Sequence, residues 1–557
     1  MNDLPQELVE RICEILPWDT LKSALLVSRK FQYAAERASK TFARFTFKDH
    51  SPKEHQDFVS IFSGHRFDYL RVIEIHTEFP ALEPKYKPSR RGRKKRRPLT
   101  PEPDGSCRES LQNLKEKDEL FTSQIAKTFE AIKSVEDVGD NRVIGKKHLV
   151  VFTPRRQVHK CYCNHRLFSS WRVHLLSPDR LPRLRSINGL HICNLGHCPE
   201  RKHYSEYETA QSRIDLRALV DLAARCPNLE YLGCELGVDE WTDTSDEAQA
   251  HYQHDYEGPL RDTRNDFAHA VQNVELPSSL RHVELNFIKN LSDALSEQLR
   301  PLPNLVAPKI YDPFSSSLRL LSSHLKQLEL RVMADKTLFW PHDGSEHFWP
   351  NLECLNVMLH IGSPSGEWYF QGPSEEIWYH KDVYIEEEPD YPPLEDSDIL
   401  DELHPGTPES SIRGPPAFRI IPIEETISPV LESFARATSS MLKLKRALIW
   451  VPLMFYPEDT ESEDSEDDDA HNSTDDRTAV SLYPEGRLTW SIQYVAPQER
   501  AFDGGENKSS CRKLLWEVGK WRPSEELHKL FQDIGEIHAG GQLIEEWIDL
   551  RDSSWRD

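Results

Sequence analysis

Apolar residues recur along the first forty positions at the spacing of short helices. Leu8, Val9, Ile12, Ile15 and Leu16 fall one, three and four apart, which lines one side of a helix. Asp3 can cap this helix, and Pro5 suits its first turn, where a missing N–H costs no hydrogen bond. Pro17 ends it, and Asp19 or Thr20 can cap a second helix with the stripe Leu21, Ala24, Leu25 and Val27. A third segment runs from Ser28 through Phe31, Ala34 and Ala35. Three helices this short bury little area alone, since domains below ~40 residues usually need outside help. Their apolar surface is therefore expected to be completed by a partner.

Further along, the pattern changes. Leu70 to Ile75 alternates roughly as a strand does, and His148 to Phe152 reads as a buried strand. Between them, Phe121, Ile125, Phe129 and Ile132 share one face of an amphipathic helix over 120–138. A phrase then recurs, with an anchor leucine followed by an apolar residue three on and usually another two further. It begins at Leu184, Leu229, Leu280, Leu325 and Leu352. Such a phrase belongs to leucine-rich repeats, where each short strand is followed by a returning helix or loop. Segments 216–224, 266–271 and 316–323 can supply those helices. The anchors lie roughly 27 to 51 residues apart, mostly longer than the regular repeat. A non-repetitive α/β domain with leucine-rich strands is the plainer alternative. Near the end, a helix is expected through Leu431 and Phe434, and strands through 447–450 and 488–495. Helices are expected around Leu514 and Ile544.

Composition narrows the picture. At 557 residues, 38% hydrophobic and 29% charged, part of the chain must be solvated linker. A net charge of −23 argues against a protein that coats nucleic acid through its whole surface. The longest apolar stretch, 447–455, is far short of the ~20 residues that span a bilayer. The opening Met1-Asn2-Asp3-Leu4-Pro5 lacks the basic and apolar regions of a secretory leader, so none is expected. Ten irregularly spaced cysteines fit a reducing cytosol or nucleus.

Leu4-Pro5-Gln6-Glu7-Leu8, Ile12, Ile15-Leu16-Pro17, Leu21 and Val27-Ser28-Arg29-Lys30-Phe31 resemble, in order and spacing, the F-box motif. Phe31 stands where that family often has tryptophan. The resemblance implies a three-helix element that binds a Skp-type adaptor and through it a cullin–RING ligase. Carried over residue by residue, the adaptor contacts are Leu4, Pro5, Leu8, Ile12, Leu16, Leu21 and Val27. An ordinary three-helix fragment packed on the next domain is the alternative. Less specifically, Asp312-Pro313-Phe314-Ser315-Ser316-Ser317-Leu318, Leu338-Phe339-Trp340-Pro341 and Trp368-Tyr369-Phe370 resemble phrases in the long F-box proteins of filamentous fungi.

The expected fold class is α/β: an N-terminal three-helix F-box, then an irregular leucine-rich-repeat-like α/β solenoid with disordered insertions. The expected divisions are 1–47 (F-box), 48–84 (start of the scaffold), 85–112 (basic insertion) and 113–371 (scaffold). They continue with 372–415 (acidic, proline-rich loop), 416–456 (scaffold), 457–478 (acidic loop) and 479–557 (C-terminal cap). The expected function is substrate recognition for a Skp–cullin–F-box type ubiquitin ligase, with the scaffold holding an unknown protein target. A nuclear interaction scaffold whose F-box works outside a ligase is the alternative.

Other motifs are weaker. Arg90, Arg91, Arg93, Lys94, Lys95, Arg96 and Arg97 form a basic run that reads as a nuclear-import address or a solvated linker. Without interleaved aromatics it would hold nucleic acid only weakly. Nucleus, cytoplasm or both are the expected compartments, with no membrane association. Cys161, Cys163, His165, Cys193, His197 and Cys198 include zinc-type ligands. Cys161 and Cys163 are separated by one residue rather than the usual two to four, so no metal is assigned. Trp340, Trp349, Trp368 and Tyr369 are candidates for an exposed recognition surface, or for core. Gly362-Ser363-Pro364-Ser365-Gly366 has proline where a nucleophile would stand. No cofactor and no catalytic residue is expected.

Overall fold

The computed structural model describes residues 4–82, 111–138, 147–159, 171–194, 207–236, 259–288, 298, 302, 304–373, 418–455, 486–505 and 507–552. The basic run at 90–97 and the acidic loop at 457–478 lie outside the described residues. So do most of the acidic, proline-rich loop and Cys161, Cys163, His165, His197 and Cys198. The fold is mixed α/β with mostly parallel strand pairing, and it divides into two compact units.

The first unit comprises Met1–Cys234 with Val274–Leu280. It opens with α1 (Gln6–Ile15), α2 (Trp18–Ala24) and α3 (Arg29–Ser39). Proline stands at both of the first two starts: Pro5 just before α1 and Pro17 just before α2, neither start having a side-chain cap. Asp19 thus lies inside α2 rather than capping it, because Pro17 already fixes the backbone at the start. At α3 the Ser28 side chain accepts from the Phe31 amide at 3.4 Å, an ordinary N-cap. Next come β1 (Arg44–Phe47), α4 (Pro52–Phe62), α5 (Arg66–Tyr69), β2 (Val72–Leu82), α6 (Leu111–Val138) and β3 (Lys147–His159). Then follow β4 (Arg172–Val173), β5 (Ile187–Cys193), β6 (Tyr207–Gln211), β7 (Arg213–Ile214), α7 (Arg217–Ala223) and β8 (Tyr231–Glu235).

Strands β1, β2, β3, β5 and β8 are neighbours in that order. The registered pairs β1–β2, β2–β3 and β3–β5 are all parallel. Ile73 and Ile75, Leu149 and Val151, and Leu190 and Ile192 are all fully buried, at alternate positions on one face. α6 packs against β2. Phe121, Ile125, Phe129 and Ile132 are fully buried, as the helical spacing predicts. The helix starts at Leu111, inside the stretch expected to be an insertion, and Leu114 adds a fifth fully buried residue. Its acidic side chains tie it down. Asp118 accepts from the His174 amide at 2.9 Å, and Glu136 from the Ser186 amide at 2.8 Å. On the sheet's other face, a Cβ at Gly189 would stand 2.3 Å from His148 Nδ1, so only glycine lets that imidazole lie across the strand.

The second unit comprises Glu235–Asn273 with Arg281–Asp557. Its elements begin with α8 (Pro259–Asn273), β9 (His282–Asn286), α9 (Pro313–Ser322), β10 (Gln327–Val332) and β11 (Cys354–Leu359). They continue with β12 (Phe370–Gln371), β13 (Ile421–Pro422), α10 (Glu424–Ser439), β14 (Arg446–Phe455) and β15 (Gly486–Val495). Last are β16 (Arg512–Glu517), α11 (Glu525–Gln532), α12 (Glu536–Ala539), β17 (Leu543–Ile548) and β18 (Arg551–Asp552). β9, β10, β11 and β14 pair in parallel; β15 and β16 then add antiparallel, and β17 adds parallel to β16.

The anchor leucines Leu184, Leu229, Leu280, Leu325 and Leu352 are all buried, each two or three residues ahead of its strand. The expected returning segments are α7, α8 and α9. β14 reads as one continuous apolar run because it is buried on both faces. Leu448 and Trp450 join Met358 and Ile288 in a second apolar cluster, against which Phe502 packs.

One expectation is overturned here, and one open alternative is decided. The segments around Leu514 and Ile544 are strands β16 and β17, not helices. Leu514, Trp516 and Val518 recur every second residue and are buried, the period of a strand. Trp349 and Tyr369 are core residues, 3% and 2% exposed. Their polar atoms are satisfied inside, Trp349 Nε1 donating to Ser322 Oγ and Tyr369 Oη to the Ala334 carbonyl, both at 2.7 Å.

Candidate docking surface

The three N-terminal helices have a core of their own. Val9, Cys13, Leu21, Ala24, Phe31, Ala34 and Ala35 are buried together, with Leu4, Leu16 and Ala38 packed against them. This consumes only part of the apolar stripe. At about 100° per residue, Leu16, Val9 and Cys13 cover one side of α1, and Ile15, Leu8 and Ile12 extend the stripe to a total of about 160°. One helix cannot turn so wide a stripe into a single small core. Leu8, Ile12 and Ile15 are left 52%, 40% and 77% exposed. On α2, Leu21 and Ala24 face the core while Trp18 stays exposed. The turn that follows leaves Leu25, Leu26 and Val27 exposed as well.

The concentration is what distinguishes this surface. Among the described residues, sixteen large hydrophobic side chains are exposed, and eight of them fall between Leu8 and Tyr33. The other eight are scattered from Val138 to Trp547. Isolated exposed leucines need no explanation, whereas a gathered set marks an interaction surface.

The seven contacts expected from the sequence divide between the two sides. Leu8, Ile12, Val27 and Pro5 are exposed. Leu4 and Leu16 are half-buried against the intrachain core, and Leu21 is buried in it. Ile15, Trp18, Leu25 and Leu26 join the exposed set without having been singled out. For Ile15 a signal was present, since it lies seven residues from Leu8, two full turns along the helix.

Polar contacts hold the surface in shape. Arg37 pairs with Glu10 at 2.7 Å, joining α3 to α1, and Lys30 Nζ donates to the Leu4 carbonyl at 3.0 Å. Further along α3, Glu36 is buried and meets the rest of the unit. Arg66 donates to it through Nη2 at 2.6 Å and Nε at 3.1 Å, and His65 Nε2 lies 2.9 Å away. Burial alone would raise the Glu36 carboxyl. Hydrogen bonds from Arg66, His65 and Gln32, with the Arg66 charge, outweigh it and hold the group at about 2.

Another buried ion pair lies in the second unit. Asp312 caps α9 through the Phe314 and Ser315 amides and pairs with Arg264 at 2.5 Å. Cys193, the one described member of the cysteine–histidine group, is buried on β5. The N-terminal surface itself is apolar. No family model matches the chain, and no curated protein matches it.

Proposed function

We propose that the chain is a substrate-recognition subunit of a Skp–cullin–F-box type ubiquitin ligase, docking on the adaptor through α1, α2 and the turn into α3. One observation carries this: half of the α1 stripe is spent on an internal core and the other half is left in solvent. The F-box-like order of Leu4, Pro5, Leu8, Ile12, Leu16, Leu21 and Val27 supports the same partner. Burying a large aliphatic side chain fully contributes about 1.5–3 kcal/mol, so Leu8, Ile12, Ile15, Leu26 and Val27 together can drive a stable interface.

The remaining elements are the target-holding scaffold. Parallel strands that follow buried anchor leucines, with returning helices, support a leucine-rich-repeat-like arrangement within each unit. The protein then performs no chemistry itself. It holds a target beside the ligase-bound ubiquitin carrier, and proximity makes transfer effectively intramolecular.

Co-precipitation tests this. Wild-type chain should bring down a Skp-type adaptor together with a cullin. Leu8→Asp and Ile12→Asp should each abolish adaptor capture, because each places an unpaired charge in an apolar contact. Undiminished capture by both variants refutes the interface. Capture of the adaptor without a cullin supports instead a scaffold acting outside a ligase.

A further inference from the structure

The joint between the three helices and the rest of the first unit is polar, and that is unusual for two parts of one compact body. The helices' buried apolar cluster is made only of residues from the helices themselves. α3 is closed by Lys40, just past its last residue and in the left-handed region at φ 55°, and β1 begins at Arg44, so the covalent connection is one short turn. What spans the joint is a set of directional contacts. Glu36 receives the two-point bond from Arg66 and faces His65. The rings of Tyr33 and His65 lie 4.0 Å apart, and Tyr69 Oη donates to the Tyr33 carbonyl at 3.1 Å. The Arg66 guanidinium also sits 4.3 Å above the Phe42 ring, in the turn itself.

We propose that Glu36 is a positioning residue: its two-point bond to Arg66 fixes the direction in which the three-helix element presents its apolar surface. An apolar joint would be non-directional and would tolerate sliding. A carboxylate–guanidinium fork sets both distance and angle. Because the cluster of α1, α2 and α3 closes without the joint, releasing Glu36 frees the orientation while leaving the docking residues assembled. The role assigned to that orientation rests on the docking function proposed above; the joint itself does not.

Distance measurements between spin labels decide it. Labels introduced as unnatural amino acids at Glu14 on α1 and Gln56 on α4, both exposed, span the joint. The wild-type full chain should give one narrow distance distribution. Glu36→Ala should widen it by roughly twofold, the behaviour of bodies joined without a large interface. Arg66→Lys should widen it too, since it keeps the charge and loses the fork. It also decides the matter if Glu36→Ala unfolds the helices. Circular dichroism and thermal midpoint report folding, and adaptor affinity should stay within about twofold of wild type in any folded variant. Wild-type widths in the folded variants overturn the proposal. So does loss of adaptor affinity without widening. If wild-type chain binds no adaptor, the docking function fails while the label distances still decide the role of Glu36.

Discussion

Arg264 and Gly535 are single residues whose surroundings leave no slack. The Arg264 and Asp312 side chains are 7% and 2% exposed, and the pair is also tied to the Met333 carbonyl through Arg264 Nη2 at 3.1 Å. Replacing a buried pair by apolar residues can be harmless, but removing one partner is not. Arg264→Met should therefore lower stability by about 3–5 kcal/mol, read as a shift of the urea midpoint. Adding Asp312→Asn to it should recover part of the loss, by removing the stranded charge. Gly535 precedes α12 at φ +77°, and a Cβ there would meet the buried Tyr494 Oη at 2.0 Å. Gly535→Ala combines backbone strain with collision and should cost about 2–4 kcal/mol in chemical denaturation. Gly344 has φ +73° with nothing near its Cβ position, so Gly344→Ala should cost only the strain, about 1 kcal/mol.

At the scale of elements, α1 shows how far a sequence pattern reaches. The stripe was legible as a helix, and its exposed half as an excess of apolar residues over what three short helices bury. Which half faces outward was not, because Val9 and Leu8 are adjacent and equally apolar. Only the packing of α3 through Phe31, Ala34 and Ala35 selects Val9 and Cys13 for the inside. Thermal unfolding separates the halves. Leu8→Asp and Ile15→Asp should leave the midpoint within a degree or two of wild type, while Val9→Asp buries an unpaired charge and should melt the three helices. The strands β16 and β17 were misread for a related reason. Each is six residues long, and the apolar positions inside it do not by themselves separate period two from period 3.6. Pairing with β15 settled the matter by supplying the backbone partners.

The joint at α3 adds a dependence on acidity. Glu36 is held at about 2 in the folded chain, below its ordinary 4.5. A depressed carboxyl contributes stability that is complete above the unfolded value and lost as pH falls towards the folded one. Its contribution is at most about 3 kcal/mol, and solvent at the partly exposed Arg66 lowers it. Hydrogen exchange followed from pH 5 down to pH 2 should therefore show α3 and α5 losing protection through that window, and Glu36→Gln should remove that dependence.

For the molecule as a whole, the strands were the most legible part. The anchors at Leu184, Leu229, Leu280, Leu325 and Leu352 each preceded a strand, because a residue buried just ahead of a strand fixes where pairing begins. The aromatics were less legible. Trp349 and Tyr369 carry polar atoms that suit a surface as well as a core, and only Ser322 Oγ and the Ala334 carbonyl make burial affordable. The α/β class thus followed from periodicity, while the inside and outside of individual tryptophans did not.

The last matched residues of β14 and β15 have a practical consequence. Phe455 and Gly486 are partners across the ladder, so the chain leaves the sheet and re-enters it at adjacent points. Whatever joins such points closes the same short gap at any length, and closure cost grows by only about 0.6 kcal/mol per doubling. A fluorescent protein or epitope spliced between residues 456 and 485 should therefore leave the thermal midpoint unchanged, and give a reporter attached neither to the amino nor to the carboxyl end. A fall of several degrees would mean that the residues replaced there grip the strands they connect.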